Sequence, residues 1–181
     1  DLLEAFQARL VFRFTYVLQD GVLRLEGEVK NESEVAAPFM LGFHPYFHVK
    51  QGHEQQTIMQ VSSKLEWPVN KEGFVDGSPT STDLCQQLTK GLAYPDMPKG
   101  RDHAFVTVED GTTSCELIDE QESHKIVYEF GDQFPFMLVF QPSWNNSVSL
   151  EPYTAVTDAF NLDVAAEQTG ARGLEPGEQF V

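Results

Sequence analysis

The stretch from Leu10 to Lys30 restricts the fold most. Leu10, Phe12, Phe14, Tyr16 and Leu18 alternate with Val11, Arg13, Thr15, Val17 and Gln19; on the return, Leu23, Leu25 and Val29 alternate with Arg24, Glu26, Glu28 and Lys30. A β-strand sends successive side chains to opposite faces, so this period of two describes strands and not an amphipathic helix. Asp20-Gly21 stands between the runs, and a two-residue type I′ turn wants such a pair because both positions need positive φ. The prediction is a β-hairpin. The same grammar recurs along the chain. Phe105–Glu109 and Thr112–Ile118 flank Asp110-Gly111 and predict a second hairpin. Val61 and Leu65–Val69 suggest short strands, and His124–Phe130 a further one. Phe134–Gln141 is an unbroken apolar run, the pattern of a strand covered on both faces. Only Thr82–Leu92 has helical character, with Thr82 or Asp83 as cap and Gly91 as stop. Short strands, frequent turns and little helix predict an all-β, antiparallel architecture of packed sheets, a single domain over residues 1–181.

Charge and cysteine content narrow the partners. Against 28 Asp+Glu stand 12 Lys+Arg, a formal net charge of -16. That balance argues against a nucleic-acid backbone and against an anionic membrane surface, both of which want clustered cations. No apolar run approaches the roughly 18 residues of a membrane span. Cys85 and Cys115 form neither a zinc pattern nor a disulfide framework. Reduced structural thiols are expected, which suits a cytoplasmic protein.

Candidate chemistry begins at Leu41-Gly42-Phe43-His44-Pro45-Tyr46-Phe47-His48-Val49. Pro45 opposes a helix, and the stretch fits a strand from about Pro38 to Val49. Phe43, Pro45, Phe47 and Val49 then fall on one side and His44, Tyr46 and His48 on the other. Downstream, Ser147, Ser149 and Glu151 share one face of the run Ser147–Pro152. His44, Asp102 and Glu151 are thus polar positions on otherwise apolar strands. Unperturbed His titrates near ~6.5 and Glu near ~4.3, so one can serve as acid while the other serves as base. Tyr46, Trp67, Trp144 and Tyr153 are candidates for an aromatic surface against a ligand. Trp144, in the loop before the Glu151 strand, is preferred. His48, His53, His103 and His124 read as surface or structural residues, and His103 adjoins Asp102.

The motifs together resemble the aldose 1-epimerase (galactose mutarotase-like) family. Gly42-Phe43-His44-Pro45-Tyr46-Phe47 is similar to its histidine motif and Glu151–Leu162 to its glutamate motif, with Asp102-His103-Ala104-Phe105 between them and Pro176-Gly177-Glu178 at the end. The resemblance implies an antiparallel β-supersandwich with a sugar in an open groove. It implies that His44 protonates the ring oxygen, that Glu151 takes the proton of the C1 hydroxyl, and that Asp102 holds sugar hydroxyls. The partner would be a free aldose or a hexose phosphate, interconverted between anomers without a cofactor. The family also carries further strands ahead of the first hairpin, so the chain is expected to be the central and C-terminal part of a longer mutarotase-like domain. Two other readings stay open. One is a non-catalytic carbohydrate-binding domain of the same fold. The other is a glycoside hydrolase using Asp102 and Glu151 as its carboxylate pair.

Overall fold

The computed structural model describes residues 7–98 and 101–181. The chain forms two compact units, residues up to Met40 together with Ala171–Val181, and Leu41–Gly170.

In the first unit, β1 (Leu10–Gln19) and β2 (Val22–Asn31) form the predicted hairpin. Asp20 and Gly21 take φ of 52° and 78°, the positive values their turn type requires. β14 (Gln179–Phe180) adds to the far side of β2, and β3 (Ala37–Phe39) pairs with β13 (Arg172–Leu174). The buried Asn31 ties these pieces together by donating its side-chain amide to Val35 O and Leu174 O, both at 2.8 Å.

The second unit holds two sheets. One has four strands in the order β10 (His124–Glu129), β9 (Ser114–Asp119), β5 (Thr57–Gln60) and β7 (Leu92–Ala93). The other has five: β4 (Tyr46–His48), β12 (Ser147–Tyr153), β11 (Phe136–Phe140), β8 (His103–Val108) and β6 (Ser63–Trp67). The apolar run at 134–141 supplies β11, the middle strand of this sheet between β12 and β8; Phe136, Met137 and Val139 are buried, but Leu138 and Phe140 are only half-buried, so the coverage expected on both faces is incomplete on one of them. Helix α1 (Asp83–Lys90) starts where Thr82 accepts from Cys85 N–H and stops at Gly91, whose φ is 108°. The Thr82 hydroxyl also donates to Glu66 Oε2 at 2.6 Å, tying the cap to β6. A short second helix, α2 (Ala166–Thr169), precedes β13.

Two expectations need correction. The stretch from Pro38 to Val49 is not one strand: β3 ends at Phe39 and β4 starts at Tyr46, with only a bridge from Gly42 to Tyr153 between them. Pro45 has no N–H to give a ladder, which fits a break just before Tyr46. Nor do β8 and β9 form a hairpin. β8 pairs with β6 and β11, whereas β9 pairs with β5 and β10. Among the described non-glycine residues Asp110 is not one with positive φ, so only Gly111, at 79°, leaves the ordinary region. The turn is therefore not type I′, and the chain passes from one sheet to the other.

Register divides the five-stranded sheet into two faces. Residues directly opposite each other in neighbouring strands project to the same side. Val148, Leu150, Met137, Val139, Ala104 and Val106 share one side and are buried in a single cluster with Met59, Leu117, Leu84 and Leu88. The core of this unit therefore lies between the two sheets and α1. The other side carries Tyr46, Ser149, Phe140 and His103 in one row across four strands. In the next row stand Glu151, Leu138, Phe105 and Trp67.

Candidate active site

The second face of that sheet gathers most of the candidate residues. The alternation predicted for the histidine stretch is realised although half of it is not strand: His44, Tyr46 and His48 are exposed, while Phe43, Pro45, Phe47 and Val49 are more enclosed. His44 is held over β12. Its Nε2 lies 3.2 Å from Glu151 Oε1, and its Nδ1 lies 3.0 Å from Ser149 Oγ. Around the imidazole stand aromatic rings, Tyr46 at 4.8 Å and Phe140 at 6.2 Å between centroids. Trp144 extends the surface, 6.1 Å from Tyr46 and 70% exposed.

Glu151 departs from the ordinary behaviour of a glutamate on a strand. It is 0% exposed, whereas charged side chains are seldom fully buried without partners. Oε2 accepts from the Tyr153 hydroxyl at 3.0 Å. Oε1 has no aligned hydrogen-bond donor among the described residues and faces the His44 ring. Burial raises its carboxyl above the ordinary 4.5, opposed by His44, by the Tyr153 and Ser149 hydroxyls and by His103. Tyr153 stays a phenol, because burial and the neighbouring carboxylate push its own ionisation up. Gly42 makes room for that ring: a Cβ there would sit 2.6 Å from Tyr153 Cδ1 and Cε1. The glycine before Phe43-His44 is thus a packing requirement of the ring that donates to Glu151.

His44 and Glu151 touch directly, with no ring-sized gap between them. The physical reason is local: Ser149 and Glu151 point the same way from one strand, and His44 touches both.

Asp102 stands apart from this pair. It is 58% exposed at the carboxylate, whose Oδ1 lies 2.5 Å from His103 Nδ1. It opens onto two clefts. One, of about 990 Å³, also touches Trp144, His48, Arg101, Gln141 and Asn146; the other, of about 750 Å³, touches Trp67, Asn70, Lys71 and His103. Neither cleft is lined by His44 or Glu151. Arg101, at the mouth of both, is engaged by the buried Glu66.

Two assignments change. Trp67 is buried and donates its indole N–H to Thr107 Oγ1 at 2.9 Å, so it is a core residue and not a stacking surface. His103 belongs with the site: it shares the row of Tyr46, Ser149 and Phe140. Only strand order reveals this, because β8 and β12 are not neighbours in sequence. His53 is structural as read, buried with Nδ1 2.7 Å from Asp119. Cys85 and Cys115 are free and buried. Among the described residues no group of three or more His, Cys, Asp or Glu could hold a metal ion, and no helix is long and apolar enough to cross a membrane.

The family model for aldose 1-epimerase matches residues 1–181. The chain belongs to the aldose 1-epimerase family. Solved structures share its fold. A galactose mutarotase-like protein from Clostridium acetobutylicum superposes with a TM-score of 0.87 at 19% identity, covering 99% of this chain and 56% of that one. A galactose mutarotase-like protein from Lactobacillus casei gives 0.79 at 19%, covering 99% and 63%. The GalM/aldose epimerase homologue from C. elegans gives 0.77 at 13%, covering 94% and 57%. The antiparallel packed sheets expected from the alternation are therefore those of the galactose mutarotase-like fold, and the chain spans 56% to 63% of the length of these three proteins.

Proposed function

We propose that the protein is a carbohydrate mutarotase, an isomerase that interconverts the α and β anomers of an aldose or hexose phosphate by general acid–base ring opening. The observation that carries this reading is the contact between His44 Nε2 and a fully buried Glu151 carboxylate oxygen that has no aligned donor among the described residues. The two reacting oxygens of a hemiacetal are bonded to the same carbon, so acid and base must converge on neighbouring atoms. An adjacent imidazole and carboxylate fit that demand. Sugar entering the site separates the pair and puts one group on each oxygen. Glu151 takes the proton of the C1 hydroxyl while Nε2 of His44 gives a proton to the ring oxygen. The C1–O5 bond breaks and C1 becomes a carbonyl. After rotation about C1–C2, the reverse transfers close the ring on the other face and restore both groups. Tyr46 and Trp144 offer aromatic surface to the apolar side of the ring, and Asp102 accepts from sugar hydroxyls.

The raised carboxyl of Glu151 suits this role, since a base is most effective when its pKa approaches the working pH. A glycoside hydrolase would need two cooperating carboxylates. Here each candidate carboxylate has an imidazole beside it instead, Glu151 with His44 and Asp102 with His103. The free, buried thiols suit a reducing compartment, and we place the protein in the cytoplasm. The pH dependence of anomer interconversion tests the proposal. The expected profile is bell-shaped, with an acid limb above 4.5 because Glu151 must be ionised and its carboxyl is raised. A flat profile from about pH 4 to pH 9 contradicts acid–base roles for these groups.

A further inference from the structure

We propose that Ser149 is a positioning residue that fixes the tautomer of His44, keeping a proton on Nδ1 so that the transferable one is carried by Nε2. The inference rests on reading His44 as the acid, but its primary test does not need turnover. Ser149 is fully buried on β12, and its hydroxyl lies 2.7 Å from Pro45 O and 3.0 Å from His44 Nδ1. A serine hydroxyl has one proton to donate. A carbonyl oxygen can only accept, so the short contact to Pro45 O uses that proton. Towards His44 the serine oxygen is then an acceptor, and Nδ1 must be the donor. The same conclusion follows if the hydroxyl turns to the nearby Glu151 carboxylate, because that group also only accepts when ionised. Either way Nδ1–H is anchored, and the imidazole's exchangeable position is the nitrogen 3.2 Å from Glu151 Oε1.

The reverse tautomer would be unproductive. It would put a lone pair of Nδ1 against the serine oxygen's lone pairs. With its proton on Nε2, that neutral ring would have no lone pair there to take a proton back when the sugar ring closes. The Pro45 carbonyl is itself part of the device. It sits one residue after His44, so the backbone that carries the imidazole also orients the serine that holds it.

The test is long-range ¹H–¹⁵N NMR of histidine-labelled full-length protein, with His44 assigned by its disappearance in His44→Gln. The expected result, at a pH where the ring is neutral, is an N–H-type Nδ1 and an unprotonated Nε2. A His44 that carries its proton on Nε2 overturns the assignment, and this holds without any serine variant. In Ser149→Ala the preference for Nδ1–H should vanish, and kcat for anomer interconversion should fall several-fold with KM unchanged. An unaltered His44 tautomer in a folded Ser149→Ala protein also overturns it. If the wild-type tautomer is as expected but no anomer is interconverted, the mutarotase reading fails and the role of Ser149 as tautomer anchor stands.

Discussion

The β1/β2 hairpin and the five-stranded sheet are both written in alternating residues, yet they treat their apolar sides differently. In the hairpin, Phe12, Phe14, Tyr16, Leu18 and Leu23 share one face by register, and all are exposed, Leu18 at 76%. The opposite face carries polar pairs such as Arg13 and Glu28, 3.2 Å apart. In the five-stranded sheet the apolar side is sealed against a second sheet and α1, and the other side gathers the candidate residues Tyr46, Ser149 and Glu151. Alternation therefore states which residues travel together. It does not state which side is covered. The functional consequence is concentrated in Glu151, which stands on the polar side and is more deeply buried than most of the apolar residues of the hairpin.

Substitutions can break or sharpen this contrast. Leu150→Ala removes a side chain packed between the sheets and should cost about 2–5 kcal/mol by chemical denaturation. A loss near zero would mean that the core is not where register puts it. Gly42→Ala places a methyl against the Tyr153 ring and should cost about 1–3 kcal/mol. It should also slow catalysis, because Tyr153 is the donor to Glu151 Oε2. Full stability and full activity in this variant would show that the ring yields freely.

Glu151→Gln should have a smaller effect, of opposite sign. Because burial raises the Glu151 carboxyl, folding favours its neutral form. That stability is fully present below the ordinary value of 4.5 and is lost as pH rises through the folded-state value. The glutamine variant should therefore melt higher than wild type at pH 7, with the difference shrinking towards pH 4. A variant that melts lower at pH 7 would contradict the direction of the shift. Leu18→Asn, at the exposed end of the hairpin, should lie within about 0.5 kcal/mol of wild type. A cost of core size would show that the hairpin's apolar face is covered in the folded protein.

The first hairpin was fully legible because everything that fixes it is local: two alternating runs and a turn pair that both accept positive φ. The second Asp-Gly misled for a related reason. The dipeptide permits a type I′ turn without imposing one, and the partners of β8 lie in β6 and β11. His44 and Glu151 could be picked out by pattern, and the period of two placed Ser149 beside Glu151. Their contact could not be read, because the partners are separated by most of the unit and are joined through β4 and β12. The burial of Glu151 was hidden for the same reason. The place of His103 needed the full order β4-β12-β11-β8 before its row became visible.

The central claim is that His44 and Glu151 act as one acid–base pair on a sugar hemiacetal. Polarimetry on freshly dissolved α-glucose and α-galactose tests it most directly, comparing the wild-type protein with Glu151→Gln and His44→Ala. Acceleration of mutarotation by the wild type, lost by roughly 10²- to 10⁴-fold in each variant, is the predicted result. Undiminished acceleration in either variant, with the fold intact, would contradict it.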